Sequence, residues 1–143
     1  MTAADTRKLV RNYYKAFNAG DVEGMAACLA DTVEHHVNQG GIRKGKAAFS
    51  EFSAHMTRCY KERLKEIVIM VGKGGKKAAA EFVVHGKYIA TDAGLPPAHG
   101  QKYVLPAGTF FDVADGLITR VTTYYNLKDW TDQVAGRSAE GAE

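Results

Sequence analysis

The sequence of 143 residues lacks the features that define several protein classes. It has only two cysteines, Cys28 and Cys59, without the CxxC spacing of zinc or redox motifs, so we expect reduced structural thiols rather than a disulfide scaffold. Apolar stretches such as residues 67–71 are too short to span a bilayer, and the N-terminus lacks the apolar segment of a signal peptide. Lys and Arg (19) exceed Asp and Glu (16) by only three. We therefore expect a cytoplasmic protein that binds neither nucleic acid nor a membrane.

The composition that remains is that of one ordinary globular domain. Hydrophobic residues make up 45% and charged residues 24% of the chain, and this length is enough to bury a core. We predict a single domain over residues 1–143, with a core at about 6–134 and a disordered tail after Gly136. One number stands out, because seven tyrosines accompany six phenylalanines and one tryptophan.

Periodicity along the chain predicts helices first and strands afterwards. Apolar residues recur at helical spacing over residues 6–19, 22–29 and 46–60. Alternation and β-branched residues predict strands at 31–38, 42–44, 64–71, 78–90, 101–113 and 117–126, followed by a short helix at 127–134. This order predicts an α+β fold in which a strongly curved antiparallel sheet wraps the helices and leaves one cavity between them.

Several short motifs, taken in order, resemble the nuclear transport factor 2-like superfamily, in its SnoaL-like and ketosteroid isomerase-related branch. They are Asn18-Ala19-Gly20-Asp21, Ala30-Asp31, Gly45 with Phe49 and Phe52, Gly116-Leu117-Ile118, Tyr124-Tyr125-Asn126 and Asp129-Trp130. Residues 91–97 with Gly100-Gln101 resemble an uncharacterised isomerase-related subgroup. The resemblance covers residues 6–134 and implies a conical, cystatin-like barrel with three helices, a deep apolar pocket and a homodimer formed through the sheet. Members include isomerases, dehydratases, epoxide hydrolases, cyclases and binding modules, so the fold transfers better than the activity.

The resemblance assigns three candidate catalytic residues. The tyrosine that donates to an enolate oxygen falls on Tyr13, on the buried stripe of the first helix. The proton acceptor falls on His35 if one deletion is allowed and on His36 otherwise, and His35 is favoured because it shares a strand face with Val33 and Val37. Asn38 ends a His-x-Asn sequence where the family's epoxide hydrolases position water. Tyr13 and His35 are equally compatible with satisfied core residues.

One departure argues against a true ketosteroid isomerase. The position of that enzyme's second carboxylic acid falls on Ala107, which cannot donate a proton. The expected cavity wall comprises Phe17, Phe52, Phe82, Val84, Tyr88, Val121, Thr123, Tyr125 and, from a long loop, Asp92. Glu81 and His85 belong to the opposite phase of their strand, and Glu62 belongs to a run of alternating charges that we interpret as solvated.

Two functions from different classes are compatible with these residues. The first is an enzyme that transfers a proton, by isomerisation or dehydration, on a small apolar organic substrate. The second is a ligand-binding or dimerisation module of the same fold without catalysis. Epoxide hydrolysis ranks below both, since no inward aspartate is evident. We expect no cofactor and no metal, because His35 and its neighbours Glu34 and His36 point to opposite strand faces.

Overall fold

The structure, a computed structural model, describes residues 2–136, which form four helices and six strands. In chain order they are α1 (Ala3–Ala19), α2 (Val22–Ala27), β1 (Leu29–Val37), β2 (Ile42–Lys44), α3 (Lys46–Cys59), β3 (Tyr60–Val71), β4 (Lys77–Tyr88), β5 (Lys102–Ala114), β6 (Leu117–Tyr125) and α4 (Leu127–Val134). The tail predicted to be disordered lies outside the described residues. Within them, every helix is too short or too polar to cross a membrane.

Local capping fixes both ends of α1. The helix begins at Ala3 rather than at the predicted residue 6, because Thr2 and Asp5 form a capping box that satisfies two otherwise unpaired N–H groups. It ends where Gly20 adopts a left-handed conformation (φ +70°), which glycine tolerates without strain. Asp21 then caps α2 by accepting a hydrogen bond from the Gly24 N–H at 2.9 Å.

The six strands form one curved, open sheet in the order β2-β1-β6-β5-β4-β3. The predicted α+β fold is confirmed, with one refinement: the sheet is mixed rather than wholly antiparallel, because β1 runs parallel to β6. Hairpin motifs predict only pairings between consecutive strands. No local motif in the sequence therefore predicts the pairing of the first strand with the last. The strand predicted at 64–71 begins at residue 60, where Tyr60 pairs with Tyr88.

Helix α1 covers one face of the sheet, which we call the inner face. The Asn18 side chain bonds both backbone groups of Leu64 on the edge strand β3, at 2.8 and 2.9 Å. At the other end of α1, the Thr6 hydroxyl donates to the Gly75 carbonyl at 2.6 Å. These bonds tie the helix to the free edge of the sheet and satisfy backbone groups that would otherwise lie exposed.

The predicted phase of β4 is confirmed by burial. Ala80, Phe82 and Val84 are buried on the inner face, whereas Glu81 is exposed and His85 lies on the opposite face. Period-two alternation identified the buried side here because one phase is almost entirely apolar.

A glycine on β4 makes room for a side chain that crosses it. Gly86 pairs with Glu62 on β3 and with Tyr103 on β5. A Cβ at Gly86 would overlap the ring of Tyr103, so the absence of a side chain lets that ring lie across β4. The Tyr103 hydroxyl thereby reaches the Glu62 carboxylate two strands away and donates a hydrogen bond to it.

We predict that Gly86→Ala destabilises the protein by about 1–3 kcal/mol, because the new methyl group displaces a buried ring. Chemical denaturation measures the free energy of unfolding. Gly41→Ala is the matched control, since a Cβ there meets no atom within 4 Å. Equal unfolding midpoints for the two variants would contradict the proposed crossing.

Candidate functional site

A cavity of about 800 Å³ lies between the helices and the inner face of the sheet. This volume falls within the range of about 300–1,000 Å³ that is typical of small-molecule sites. The three residues predicted to be catalytic, Tyr13, His35 and Asn38, all line it. So do eight of the nine predicted wall residues, namely Phe17, Phe52, Phe82, Val84, Asp92, Val121, Thr123 and Tyr125.

The prediction that Tyr88 lines the cavity is wrong. Its side chain is fully buried, with its ring stacked on that of Tyr60 at 5.4 Å between centroids. Its hydroxyl donates to the Pro96 carbonyl at 2.7 Å and accepts from the Asp92 N–H at 2.8 Å. Tyr88 therefore anchors the loop that follows β4, a role that strand alternation alone does not distinguish from lining a cavity.

Of the two adjacent histidines, His35 faces the cavity. Its ring lies between those of Phe49 and Phe52, at 5.0 and 4.9 Å, and only 5% of the residue is exposed. Its Nδ1 is buried without a hydrogen-bond partner among the described residues. Burial, reinforced by the nearby positive charge of Arg43, lowers the pKa of His35 to about 4, so the ring is neutral at pH 7.

Asn38 joins the ends of two strands at the cavity wall. It follows β1 with a positive φ of 49°, and its Oδ1 accepts a hydrogen bond from the Tyr125 backbone N–H at 2.8 Å. A backbone N–H can only donate, so this bond identifies the carbonyl oxygen and leaves the amide nitrogen on the other side. That Nδ2 is buried and has no partner within residues 2–136.

Two adjacent tyrosines of α1 both line the cavity. The rings of Tyr13 and Tyr14 meet edge to face at 5.3 Å, and each lies 5.9 Å from Phe111. Neither hydroxyl makes a hydrogen bond with a described residue. Burial raises the pKa of both phenols, which therefore remain protonated and able to donate to a ligand oxygen. The sequence predicted Tyr13 in this position but not Tyr14.

Sequence reasoning missed the carboxyl group of Glu62. The residue lines the cavity and is partly buried, although its charged neighbours on β3 are exposed. Burial raises the pKa of Glu62 above its usual range, and the hydrogen bond from Tyr103 partly offsets this effect. Alternation along β3 places Glu62 on the same side as the buried residues Tyr60 and Leu64, and this pattern could have identified it. The segment resembled a solvated face because it carries charges of both signs.

Helix α4 places an indole beside Tyr103, the hydrogen-bond partner of Glu62. The ring of Trp130 lies 5.5 Å from Tyr60 and 6.1 Å from both Tyr103 and Tyr125. Gln133 fastens the helix to β5 by bonding both backbone groups of Val104, at 2.8 and 3.0 Å. Glu62 therefore lies at an aromatic end of the cavity, where little water can solvate its charge.

Asp92 is held at the cavity wall by its own partners. Its carboxylate accepts a hydrogen bond from Tyr60 at 2.6 Å and lies 2.9 Å from Nε2 of His55. These two contacts lower the pKa of Asp92 although burial opposes them. His55, Cys59 and Asp92 also bring one potential metal-ligand atom each within 4.8 Å of the others. The ion pair and the Tyr60 bond already account for the arrangement of the two polar groups.

Comparisons with known proteins agree on one family. The SnoaL-like domain model matches residues 10–121. The chain belongs to the SnoaL-like family. Two related structures are candidate polyketide cyclases from Xanthomonas campestris pv. campestris and Pseudomonas putida KT2440, at 51% and 56% identity and TM-scores of 0.91 and 0.89. In each case 94% of this chain and 99% of the other are aligned.

A third relative of this SnoaL-like protein extends the same pattern. A candidate polyketide cyclase from Silicibacter sp. TM1040 is 55% identical, with 94% and 98% of the two chains aligned and a TM-score of 0.89. An NTF2-like protein of Burkholderia xenovorans shares the fold at 15% identity, with 96% and 97% of the two chains aligned and a TM-score of 0.71. A comparison with curated proteins found no match.

The buried histidine of this SnoaL-like protein predicts a stability that depends on pH. His35 takes up its proton near pH 6.5 in the unfolded chain but only near pH 4 in the folded one, so the folded state binds fewer protons in that interval. The stability that the neutral ring allows is therefore fully present above pH 6.5. As the pH falls from 6.5 to 4, the free energy of unfolding decreases by about 3 kcal/mol on account of this residue. His35→Gln should remove this share of the slope in unfolding experiments at several pH values.

His36→Gln is the control for that experiment. The side chain of His36 is 24% exposed and lies beside Glu34 on the other strand face, so we expect it to keep the wild-type slope. A wild-type slope in His35→Gln would show that the ring is not buried as a neutral group.

Proposed function

We propose that this protein is a small-molecule enzyme of the isomerase or cyclase type, which transfers a proton on a mostly apolar organic substrate in the cavity. The family assignment supports this reaction class, and so do the relatives above 50% identity, which are described as candidate polyketide cyclases. The observation that carries the proposal is the carboxyl group of Glu62 in an otherwise largely apolar cavity. A general base needs both access to the substrate and a pKa close to the working pH.

Glu62 meets these requirements better than His35. Burial moves the pKa of the carboxyl upward, toward neutrality, and so makes its ionised form a stronger base. Burial moves the pKa of His35 in the opposite direction, to about 4, which makes the imidazole a weak proton acceptor. We therefore assign the proton transfer to Glu62 and leave His35 as a neutral polar group of the wall.

The Tyr103 hydroxyl positions the proposed base. Its hydrogen bond fixes one oxygen of the Glu62 carboxylate, and the second oxygen is free to take a proton from a substrate C–H. Tyr103 is 1% exposed and crosses Gly86, so its hydroxyl has little freedom to leave the carboxylate. Pre-positioning of this kind lowers the entropic cost of reaching the transition state.

Donors for a developing negative charge lie on other walls of the same cavity. Tyr13 retains the role that the resemblance implies, donation to an enolate oxygen, and Tyr14 offers a second phenol beside it. Both hydroxyls are protonated and available for a ligand. Ala107 lines the cavity at the position of the second acid of a ketosteroid isomerase, so this proposal relies on phenols and not on a protonated carboxyl group.

We predict that Glu62→Gln reduces proton abstraction by a factor of about 10²–10⁴, the usual contribution of a general base. The probe is 2-tetralone, a bicyclic ketone with an acidic C–H group, and NMR follows deuterium incorporation from heavy water. Glutamine preserves the shape of the side chain and can still accept the Tyr103 hydrogen bond, so binding of the probe should change little.

Glu81→Gln is the matched control, because Glu81 is exposed and lies outside the cavity. Unchanged exchange in Glu62→Gln would remove Glu62 as the base. If the wild-type protein binds the probe without accelerating its exchange, the ligand-binding module becomes the better description of the protein.

We also propose a homodimer formed through the outer face of the sheet, opposite the face that α1 covers. Neighbouring positions Met70, Ala79, Phe110 and Thr122 form one row across four strands of that face. Phe110 is 48% exposed, and its ring meets that of the half-exposed Tyr124 at 6.0 Å. Exposed aromatic residues on a continuous sheet face favour association.

We expect Phe110→Arg to shift a dimer to the monomer, because a second copy would bury the new charge without a partner. Light scattering after size-exclusion chromatography reports the mass. Ala93→Arg, at an exposed position of the loop after β4, should remain dimeric. A wild-type monomer, or a dimer in the Phe110 variant, would contradict this interface.

A further inference from the structure

Arg43 stands directly opposite His35 in the sheet. The antiparallel register of β1 and β2 pairs these two residues, so their side chains emerge on the same face and both line the cavity. Glu34 pairs instead with Lys44, one position along, and therefore points to the other face. The register thus brings a permanent cation to the cavity and directs the nearest carboxylate of the strand away from it.

The guanidinium of Arg43 has an aromatic neighbour but no carboxylate. Its Cζ lies 4.2 Å from the centre of the Phe52 ring, within the range of a cation–π contact. Among the described residues it forms no ion pair and no hydrogen bond with a side chain or backbone carbonyl. A partly buried guanidinium with five donors and no acceptor is costly for the protein alone, which suggests that a ligand supplies the acceptor.

The two carboxylates of the cavity are already engaged elsewhere. Glu62 accepts the hydrogen bond from Tyr103, and Asp92 is shared between Tyr60 and His55. Neither forms a contact with Arg43. The charge of Arg43 therefore remains uncompensated inside the site.

Two further polar groups that line the same cavity also lack partners among the described residues. His35 lies against the same Phe52 ring, is 95% buried because only 5% of the residue is exposed, and has an unpartnered Nδ1. Asn38, the residue that follows β1, has an unpartnered Nδ2 whose position is fixed by the Tyr125 bond. A buried polar atom without a partner is rare in folded proteins, and two of them in one cavity with an unpaired arginine are better explained by a common ligand.

We propose that Arg43, His35 and Asn38 form a subsite for a carboxylate of the ligand. The apolar wall would hold the remainder, so the ligand class is an organic acid with an apolar body. The inference rests on the proposed function only in taking the cavity as the ligand site. The subsite would hold the anionic group beside β1 and β2, whereas the proposed base, Glu62, lies on β3.

The test compares two probes of the same shape, 2-naphthoate and 2-naphthamide, by isothermal titration calorimetry at low salt. Both present a naphthalene body, but only the first carries a charge. We expect the wild-type protein to bind 2-naphthoate about 10- to 100-fold more tightly, as for a charge-assisted hydrogen bond. Arg43→Gln should abolish this preference and leave the affinity for 2-naphthamide unchanged.

A second variant and a control sharpen the result. Arg43→Lys keeps the charge but loses the planar fork, so we expect a reduced preference. Arg63→Gln removes an exposed arginine outside the cavity and should behave as wild type. Equal affinity of wild type for the two probes, binding of neither, or a retained preference in Arg43→Gln would each overturn the subsite.

The experiment separates this subsite from the proposed catalytic role. Glu62→Gln should keep the preference for 2-naphthoate, because binding of the anion does not require proton transfer. If that variant retains both the preference and the exchange activity, the base assignment fails while the subsite stands. If the preference is missing but Glu62→Gln still abolishes exchange, the subsite fails and the base stands.

Discussion

The pairing of the first strand with the last is the interaction on which the site depends. β1 lies parallel to β6, with His35 opposite Val121 and Val37 opposite Thr123, and the Asn38 N–H continues the pattern by donating to the Thr123 carbonyl at 2.9 Å. Contacts between residues so far apart in sequence form late and at a high entropic cost in folding. Once formed, they bring β1 and β2, with their unpartnered polar groups, to the same cavity as the aromatic end of β6.

A second constraint acts at the opposite edge of the sheet. There, side chains of two helices bind strand backbone: Asn18 of α1 bonds Leu64 of β3, and Gln133 of α4 bonds Val104 of β5. Interiors normally close to crystal-like density, so an open volume of this size must be held by rigid walls. The absence of a side chain at Gly86 contributes to this arrangement, because it lets the Tyr103 ring cross β4 and bond Glu62 rather than fill the cavity.

Much of this structure was predictable from local patterns, and the exceptions share a cause. Helices and strands were placed well because amphipathic periodicity is a property of neighbouring residues, and the inward orientation of His35 and Phe82 followed from it. The inward orientation of Tyr125 was implied by the family resemblance. The parallel pairing, the crossing at Gly86 and the role of Glu62 depend on residues distant in sequence. Glu62 was predicted to be solvated because a charged residue in an alternating run of charges usually is. The structure instead places it, partly buried, in the cavity wall.

The cavity separates its polar groups, and that separation has a chemical consequence. Arg43 with its orphan neighbours lies on β1 and β2, the phenols of Tyr13 and Tyr14 come from α1, and Glu62 lies on β3. In an apolar interior, charges act on one another more strongly than in water. A ligand anion bound at Arg43 would therefore interact strongly with the few charged and polar groups of the cavity wall. An anionic group held there would neutralise the cation, and the acidic C–H of the same molecule would then meet Glu62 without competition from that charge. The two proposals together call for a substrate that carries its carboxylate and its reactive carbon at separate ends of an apolar body.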